Sequence, residues 1–274
     1  MKGRFAGVLE TIGNTPLVEI RKLNPNPGVR IFAKLESFNP GGSVKDRPSL
    51  YMIKRAEERG ELTRDKVILE ATSGNTGIGL ALVAAAKGYR LCLTLPESAS
   101  DERKKILKAL GAELRFTPAA LGTDGAIEEA YAIKRENPDR YFLVDQFNNE
   151  DNIAAHYHGT AVEIWEQTGG EITMFVAALG TSGTAMGCAR RLKEYNPAIR
   201  IVGVEPYMGH RIQGLKNMKE SYRPGIFDRS LLDEKVNILD EDAYEMARRL
   251  LREEGIFSGM SFGAAMHVAV EKAK

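Results

Sequence analysis

Lys45 ends the run Asn39-Pro40-Gly41-Gly42-Ser43-Val44-Lys45 and is followed by Asp46-Arg47-Pro48, so a glycine turn delivers a lysine to the start of a helix. Ser43 and Asp46 have capping-box spacing, but Ser43 as N-cap would put Pro48 past the first turn. Asp46 as N-cap with Pro48 in the first turn costs less. Either start leaves Lys45 at the positive end of a helix dipole, which disfavours the ammonium and favours the neutral amine that imine chemistry needs. Taken alone, a surface lysine is the commoner outcome.

Two further turns could hold anions. Thr72-Ser73-Gly74-Asn75-Thr76-Gly77 follows an apolar strand and precedes a helix, so backbone N–H groups and hydroxyls converge at a helix N-terminus. Gly180-Thr181-Ser182-Gly183-Thr184 repeats the arrangement without a lysine. One such turn could serve packing alone, whereas two point to one ligand with two anionic ends. Neither follows G-x-G-x-x-G, and no G-x-x-x-x-G-K-[ST] occurs, which argues against dinucleotides and P-loop nucleotides.

Other chemistries find little support. Cys92 and Cys188 lie in apolar segments without C-x-x-C spacing and read as buried thiols. His156 and His158, two apart on an expected helix, do not face one another, and His210 and His267 stand alone, so no metal site is expected. The 38 basic and 37 acidic residues nearly cancel, giving no field that draws nucleic acid or a membrane surface. No signal pattern or long apolar run occurs, and a cytoplasmic protein acting on small molecules is expected.

These residues must be placed by the elements around them. From Val67 the chain alternates short apolar runs with helical periods. Strands are expected at Val67 to Ala71, Tyr89 to Leu95, Glu113 to Thr117 and Tyr141 to Val144. Helices are expected at Ile78 to Lys87, Ser100 to Leu110 and near Asp124 to Glu136. The polar stretch Gln146 to Asn152 reads as a break. The rhythm resumes with a helix from Ala154 to Gln167, strand Ile172 to Leu179, helix Gly183 to Tyr195, strand Arg200 to Val204, and helices near Asp240 to Glu253 and Ser261 to Ala273. Gly88, Gly111 and Gly255 sit where helix C-caps fall. Pro206 to Val236 lacks a period and reads as a binding loop. The fold class is α/β, with parallel βαβ units in two doubly wound lobes.

In order along the chain, T-I-G-N-T-P-L (Thr11 to Leu17), G-G-S-V-K-D-R (Gly41 to Arg47), T-S-G-N-T-G (Thr72 to Gly77) and G-T-S-G-T (Gly180 to Thr184) closely resemble the cysteine synthase family. Gln146-Phe147-Asn148-Asn149, His156-Tyr157 and Glu163-Ile164-Trp165 extend the likeness over nearly the whole chain, closer to the B type than to the A type. The resemblance implies the fold-type II, tryptophan synthase β-like architecture with pyridoxal 5'-phosphate in the cleft between the lobes. Residues 37–146 would form a smaller mobile domain, and 1–36 with 147–274 a larger phosphate-binding one. It also implies a homodimer.

The resemblance makes Lys45 the Schiff-base lysine, Asn75 the partner of the cofactor's ring oxygen, and Gly180, Thr181, Ser182, Gly183 and Thr184 the phosphate cradle. Ser261 would face the pyridine nitrogen and leave it neutral, and a plain N-cap role for Ser261 is compatible with that. Thr72, Ser73, Gly74, Thr76 and Gln146 would grip the substrate's carboxylate. The implied reaction is β-replacement of O-acetylserine or O-phosphoserine by a sulfur donor through an aminoacrylate. Lys216, in Gly214-Leu215-Lys216-Asn217-Met218, could receive an anionic leaving group, although a solvated lysine is the commoner case. Cystathionine β-synthase and serine or threonine dehydratase share this fold and lysine. A catalytically silent cofactor-binding paralogue is the non-enzyme alternative.

The chain departs from the family pattern at several points. Asn152-Ile153 and Ala161-Val162 replace Asn-Pro and Gly-Pro, with effects expected on packing only. Phe262 stands where a small residue is usual, and Ser182 where Gly or Thr is usual. The family continues into a further strand after the helix expected from Ser261 to Ala273.

Overall fold

The computed structural model describes residues 4–72, 74–220 and 222–274. Two compact units emerge: 1–13 with 37–155, and 14–36 with 156–274.

The first unit is built on a parallel four-stranded sheet. Its strands are β3 (Val67–Ala71), β4 (Arg90–Pro96), β5 (Glu113–Thr117) and β6 (Tyr141–Leu143), in the order β5-β4-β3-β6. All five residues of β3 are buried, as expected of a parallel strand covered on both faces. Helices α1 (Asp46–Glu58), α2 (Asn75–Lys87), α3 (Asp101–Ala109) and α4 (Gly122–Glu136) connect and cover it, and α5 (Glu150–Ala155) follows. In α1, Ser49, Met52, Ile53 and Ala56 recur at helical spacing and are all buried. Met52 and Ile53 join Leu80 and Val83 of α2 and Leu93 of β4 in one core, each large side chain contributing about 2 kcal/mol of burial.

The second unit carries a three-stranded parallel sheet, β7 (Met174–Ala178), β8 (Arg200–Pro206) and β9 (Glu234–Ile238), in that order. An antiparallel ribbon, β1 (Leu17–Ile20) and β2 (Ile31–Lys34), also belongs to it. Its helices are a π-helical turn at His156–Thr160, α6 (Ala161–Gln167), α7 (Gly183–Tyr195), α8 (Asp240–Arg249) with a π turn at Leu250–Glu254, and α9 (Met260–Ala273). Ile20 and Ile31 of the ribbon pack with Met246, Leu250, Met266 and Val270, so α8 and α9 are held between ribbon and sheet.

The βαβ rhythm expected from the sequence is present, and Gly88 and Gly255 cap helices with φ of 76° and 72°. Three expectations need correction. The loop after Pro206 ends earlier than the sequence suggests, because Glu234–Ile238 forms β9, whose alternation is masked by polar residues. The break at Gln146 to Asn152 closes at Glu150, where Glu150 and Asp151 stabilise the first turn of α5. The helix expected from Ala154 to Gln167 thus begins sooner, and it is interrupted by the π turn. No helix among the described residues is long and apolar enough to cross a membrane.

Candidate active site

Lys45 occupies the capping position of α1, in αR conformation, and Asp46 is the first helical residue, so neither Ser43 nor Asp46 is the N-cap. The Asp46 carboxylate instead accepts the N–H of Gly41, closing the glycine turn, and the Ser43 hydroxyl accepts the N–H of Lys45 at 3.2 Å. Asp46 is fully buried, Lys45 half-buried. The turn is thereby fixed from both sides, and Pro48 falls within the first helical turn, where its missing N–H costs nothing.

In the same unit, the turn after β3 is held by its own residues. The Thr72 N–H donates to the Thr94 carbonyl, continuing the ladder to β4, and the Gly74 N–H donates to the Thr72 hydroxyl at 3.1 Å. Gly74 is the extended N-cap of α2, followed by exposed Asn75 and buried Thr76. The Thr76 hydroxyl donates to Gln146 Oε1 at 2.7 Å, and Gln146 Nε2 donates to Glu70 Oε1 and the Ala71 carbonyl at 3.3 and 3.2 Å. The structure thus brings Thr72, Gly74, Thr76 and Gln146 together around the N-terminus of α2. Ser73 lies outside the described residues.

Sequence reasoning missed two members of this network. Glu70, only 1% exposed, accepts the N–H groups of Ala71 and Gln146 as well as the Gln146 carboxamide. Burial pushes its carboxyl up to about 8, with the nearby Asp145 adding in the same direction and the hydrogen bonds from Gln146 and Ala71 opposing. An acid in the middle of the apolar run Val67-Ile68-Leu69-Glu70-Ala71 was the available signal. Asn152 donates to the Gln146 carbonyl at 2.8 Å, so its role extends beyond the packing expected of it.

In the second unit, β7 leads through Leu179 and Gly180 into α7. A Cβ at Gly180 would lie 2.2 Å from the Gly214 carbonyl oxygen, so only glycine allows the loop from residue 212 onward to press against this turn. Ser182 is the N-cap of α7 at φ 70°, a left-handed conformation that is costly for a residue with a Cβ. Its side chain makes no capping bond, and its hydroxyl is buried without a partner among the described residues. An orphaned donor at the start of a 13-residue helix fits an anion held by the helix N-terminus. Thr181 is buried, Gly183 opens α7, and the Thr184 hydroxyl meets His156 Nε2 at 3.3 Å. His156 is 1% exposed, with Nδ1 2.9 Å from the Thr160 hydroxyl. It sits on the π turn and meets the start of α7 through Thr184.

Lys216 also departs from the solvated lysine of its base rate. It is 9% exposed, its N–H donates to the Leu179 carbonyl, and its ammonium lies 3.2 Å from Glu220 Oε2. His210 accepts the Ile212 N–H at Nδ1, so a neutral ring carries its proton on Nε2 and donates it to Glu220 Oε1. Burial pushes the Glu220 carboxyl up, but the Asn217 N–H, Lys216 and His210 outweigh it and hold the group below its ordinary range. Ser261 stands in the first turn of α9, whose N-cap is Gly259, so the plain N-cap reading of Ser261 gives way. No group of residues suited to a metal occurs among those described.

Comparison with known proteins agrees with this geometry. The family model for pyridoxal-phosphate dependent enzymes matches residues 8–274. A cysteine synthase of Aquifex aeolicus is 50% identical over 271 residues, covering 97% of this chain and 83% of that protein. Cysteine synthase B of Pseudomonas aeruginosa is 47% identical, covering 97% and 88%. The crystal structure of a cysteine synthase from Entamoeba histolytica superposes with a TM-score of 0.94 at 43% identity, covering 99% of this chain and 83% of that one. Matched by that family model from residue 8 to residue 274 and half identical to a relative over nearly its whole length, the chain belongs to the pyridoxal-phosphate-dependent enzyme family.

Proposed function

We propose that this chain is a cysteine synthase of the B type, replacing the β-substituent of O-acetylserine or O-phosphoserine by a sulfur nucleophile to give L-cysteine. The observation that carries the reading is the pairing, in one chain, of Lys45 at the start of α1 with the orphaned Ser182 hydroxyl at the start of α7. Its relatives at 47–50% identity are named as cysteine synthases.

The cofactor, when bound, supplies an electron sink for charge at the substrate's α-carbon. Lys45 is the residue that would hold it covalently and that moves the proton at the α-carbon. Gly180 to Thr184 would hold its phosphate, Asn75 its ring oxygen and Ser261 its pyridine nitrogen. Thr72, Ser73, Gly74, Thr76 and Gln146 would orient the substrate's carboxylate. Lys216 would meet an anionic leaving group, with Glu220 as the partner it already has. Segment 37–146 is the part proposed to move on substrate binding, and a cytoplasmic homodimer belongs to the same reading.

The test is the visible spectrum of the purified protein with O-acetylserine, followed by an assay with sulfide. A cofactor band that shifts with O-acetylserine, and cysteine formation that falls at least about a thousandfold in Lys45→Ala, is the expected result. Ammonia release in place of cysteine would make the protein a dehydratase. A cofactor band that forms but does not respond to O-acetylserine would make it a silent paralogue.

A further inference from the structure

The side chains of Thr160, His156 and Thr184, all in the second unit, are linked in series and end at the anion turn. His156 opens the π turn and Thr160 closes it, and the two are 1% and 2% exposed. The imidazole meets a hydroxyl at each end, Thr160 Oγ1 at 2.9 Å from Nδ1 and Thr184 Oγ1 at 3.3 Å from Nε2. Thr184 is the second residue of α7, so its hydroxyl belongs to the helix start that Ser182 caps. The Ser182 hydroxyl, on a residue 3% exposed, has no partner among the described residues. A buried hydroxyl left unanswered is an independent sign that a ligand completes this turn.

Counting hydrogens gives the series a direction. A neutral imidazole has one N–H and one bare nitrogen, so its two ends cannot both donate, and a hydroxyl has a single proton to give. With the ring proton on Nδ1, the bare Nε2 takes the Thr184 proton, and Thr184 has only lone pairs to turn toward an anion. With the proton on Nε2, the ring donates to Thr184 Oγ1, Thr160 donates to Nδ1, and the Thr184 proton is free. A phosphate above its second ionisation only accepts, so it needs the second arrangement. An imidazolium also donates from Nε2, which leaves the neutral Nδ1–H form as the one that defeats capture.

We infer that His156 is a positioning residue for the cofactor's phosphate: by donating from Nε2 to Thr184 Oγ1 it aims the Thr184 hydroxyl proton at the anion held at the start of α7. The inference rests on the proposed phosphate cradle from Gly180 to Thr184. In the empty protein either tautomer satisfies both threonines, since each hydroxyl can donate or accept. The anion removes that freedom, because only the Nε2–H form leaves a proton for it. Each bond in the series then polarises the next toward the phosphate.

The first measurement needs no variant: the ring-nitrogen NMR spectrum of the loaded wild-type protein with isotope-labelled histidine, the His156 ring being assigned by its proximity to Thr160. A proton on Nε2 is the expected result, and a proton on Nδ1 alone overturns the inference. The second is the dissociation constant of pyridoxal phosphate, by equilibrium dialysis of protein freed of cofactor. The amide nitrogen of glutamine can take the place of Nε2, whereas that of asparagine reaches only the place of Nδ1. His156→Gln should bind the cofactor within about threefold of wild type and His156→Asn about tenfold more weakly, the effect of losing one hydrogen bond to a charged group. In a Thr184→Val background the two variants should bind alike, since no hydroxyl remains to be aimed. The same gap with Thr184→Val, or no gap with Thr184 present, shows that His156 acts through packing and overturns the inference. Wild-type protein that binds no pyridoxal phosphate defeats instead the cofactor reading on which the inference stands.

Discussion

The turns after β3 and after β7 share one plan, an apolar strand, a glycine and hydroxyl turn, and a helix, yet they are finished in opposite ways. In the β3 turn the polar side chains satisfy one another: Thr76, Gln146 and Glu70 form a closed network, and Gly74 has open space where a Cβ would stand. In the β7 turn Gly180 is jammed against Gly214, Ser182 is strained, and a buried hydroxyl goes unanswered. A self-satisfied network needs no ligand to complete it, which suits a ligand that comes and goes. A rigid turn with an orphaned donor is incomplete until an anion fills it, which suits a resident group.

Adding one methyl group to each turn tests the contrast most severely. Gly180→Ala is expected to cost about 3 kcal/mol of stability, through overpacking against the Gly214 carbonyl, and to abolish cofactor retention. Gly74→Ala meets no atom within 4 Å and keeps an extended φ of −135°, so stability and cofactor content stay near wild type while the KM for the amino-acid substrate rises. Thermal melts and the cofactor absorbance of the two purified variants check this. Similar melting temperatures for both would show that the turns are equally tolerant and remove the distinction.

The closed network also has a pH signature. The Glu70 carboxyl titrates near 8 in the folded protein and near its ordinary value of 4.5 when unfolded. The native state therefore binds a proton the unfolded state has lost, and stability falls as pH rises from 4.5 through 8. Gln at this position does not titrate. Between pH 5 and 9 the difference in unfolding free energy between wild type and Glu70→Gln should move toward the variant by about 4 kcal/mol. Denaturant melts at the two pH values provide the number, and a constant difference would mean that Glu70 is ionised throughout and that the network is held by charge.

Sequence pattern made one half of this contrast more legible than the other. Strands β3 and β5 and helix α7 lie at the residues that periodicity assigns, because a short apolar run, an alternating run and a helix period each survive local adjustment. The ribbon β1–β2 was invisible, since each strand has only four residues. Strand β9 was hidden by Glu234, Lys235 and Asn237, polar residues tolerated because β9 is the outer strand of its sheet. Lys45 and both turns were readable because glycine, hydroxyl and lysine at fixed spacing have few other uses. The partners that decide how each turn behaves come from far along the chain: Gln146 is 70 residues from Thr76, and His156 is 28 from Thr184. Pattern along a chain carries no record of such meetings. Nor did the type of residue 182 announce its left-handed backbone.

That strain offers the finest test. At φ 70° Ser182 carries a cost of about 1 kcal/mol that glycine would not have, and its buried hydroxyl adds a desolvation penalty as long as no ligand answers it. Ser182→Gly should therefore raise the stability of the cofactor-free protein by about 1 kcal/mol. In the loaded protein the gain should shrink or reverse, because the variant has lost a donor to the phosphate while wild type has at last satisfied its own. The quantity to measure is the change in melting temperature on Ser182→Gly, with and without pyridoxal phosphate. The same gain in both states would mean that the hydroxyl never meets the phosphate, so the orphaned donor would be a cost of folding with no return in binding. A gain confined to the empty protein would tie the strain at residue 182 to the resident group, and the turn after β7 would then be a site held ready at the expense of stability, unlike the turn after β3.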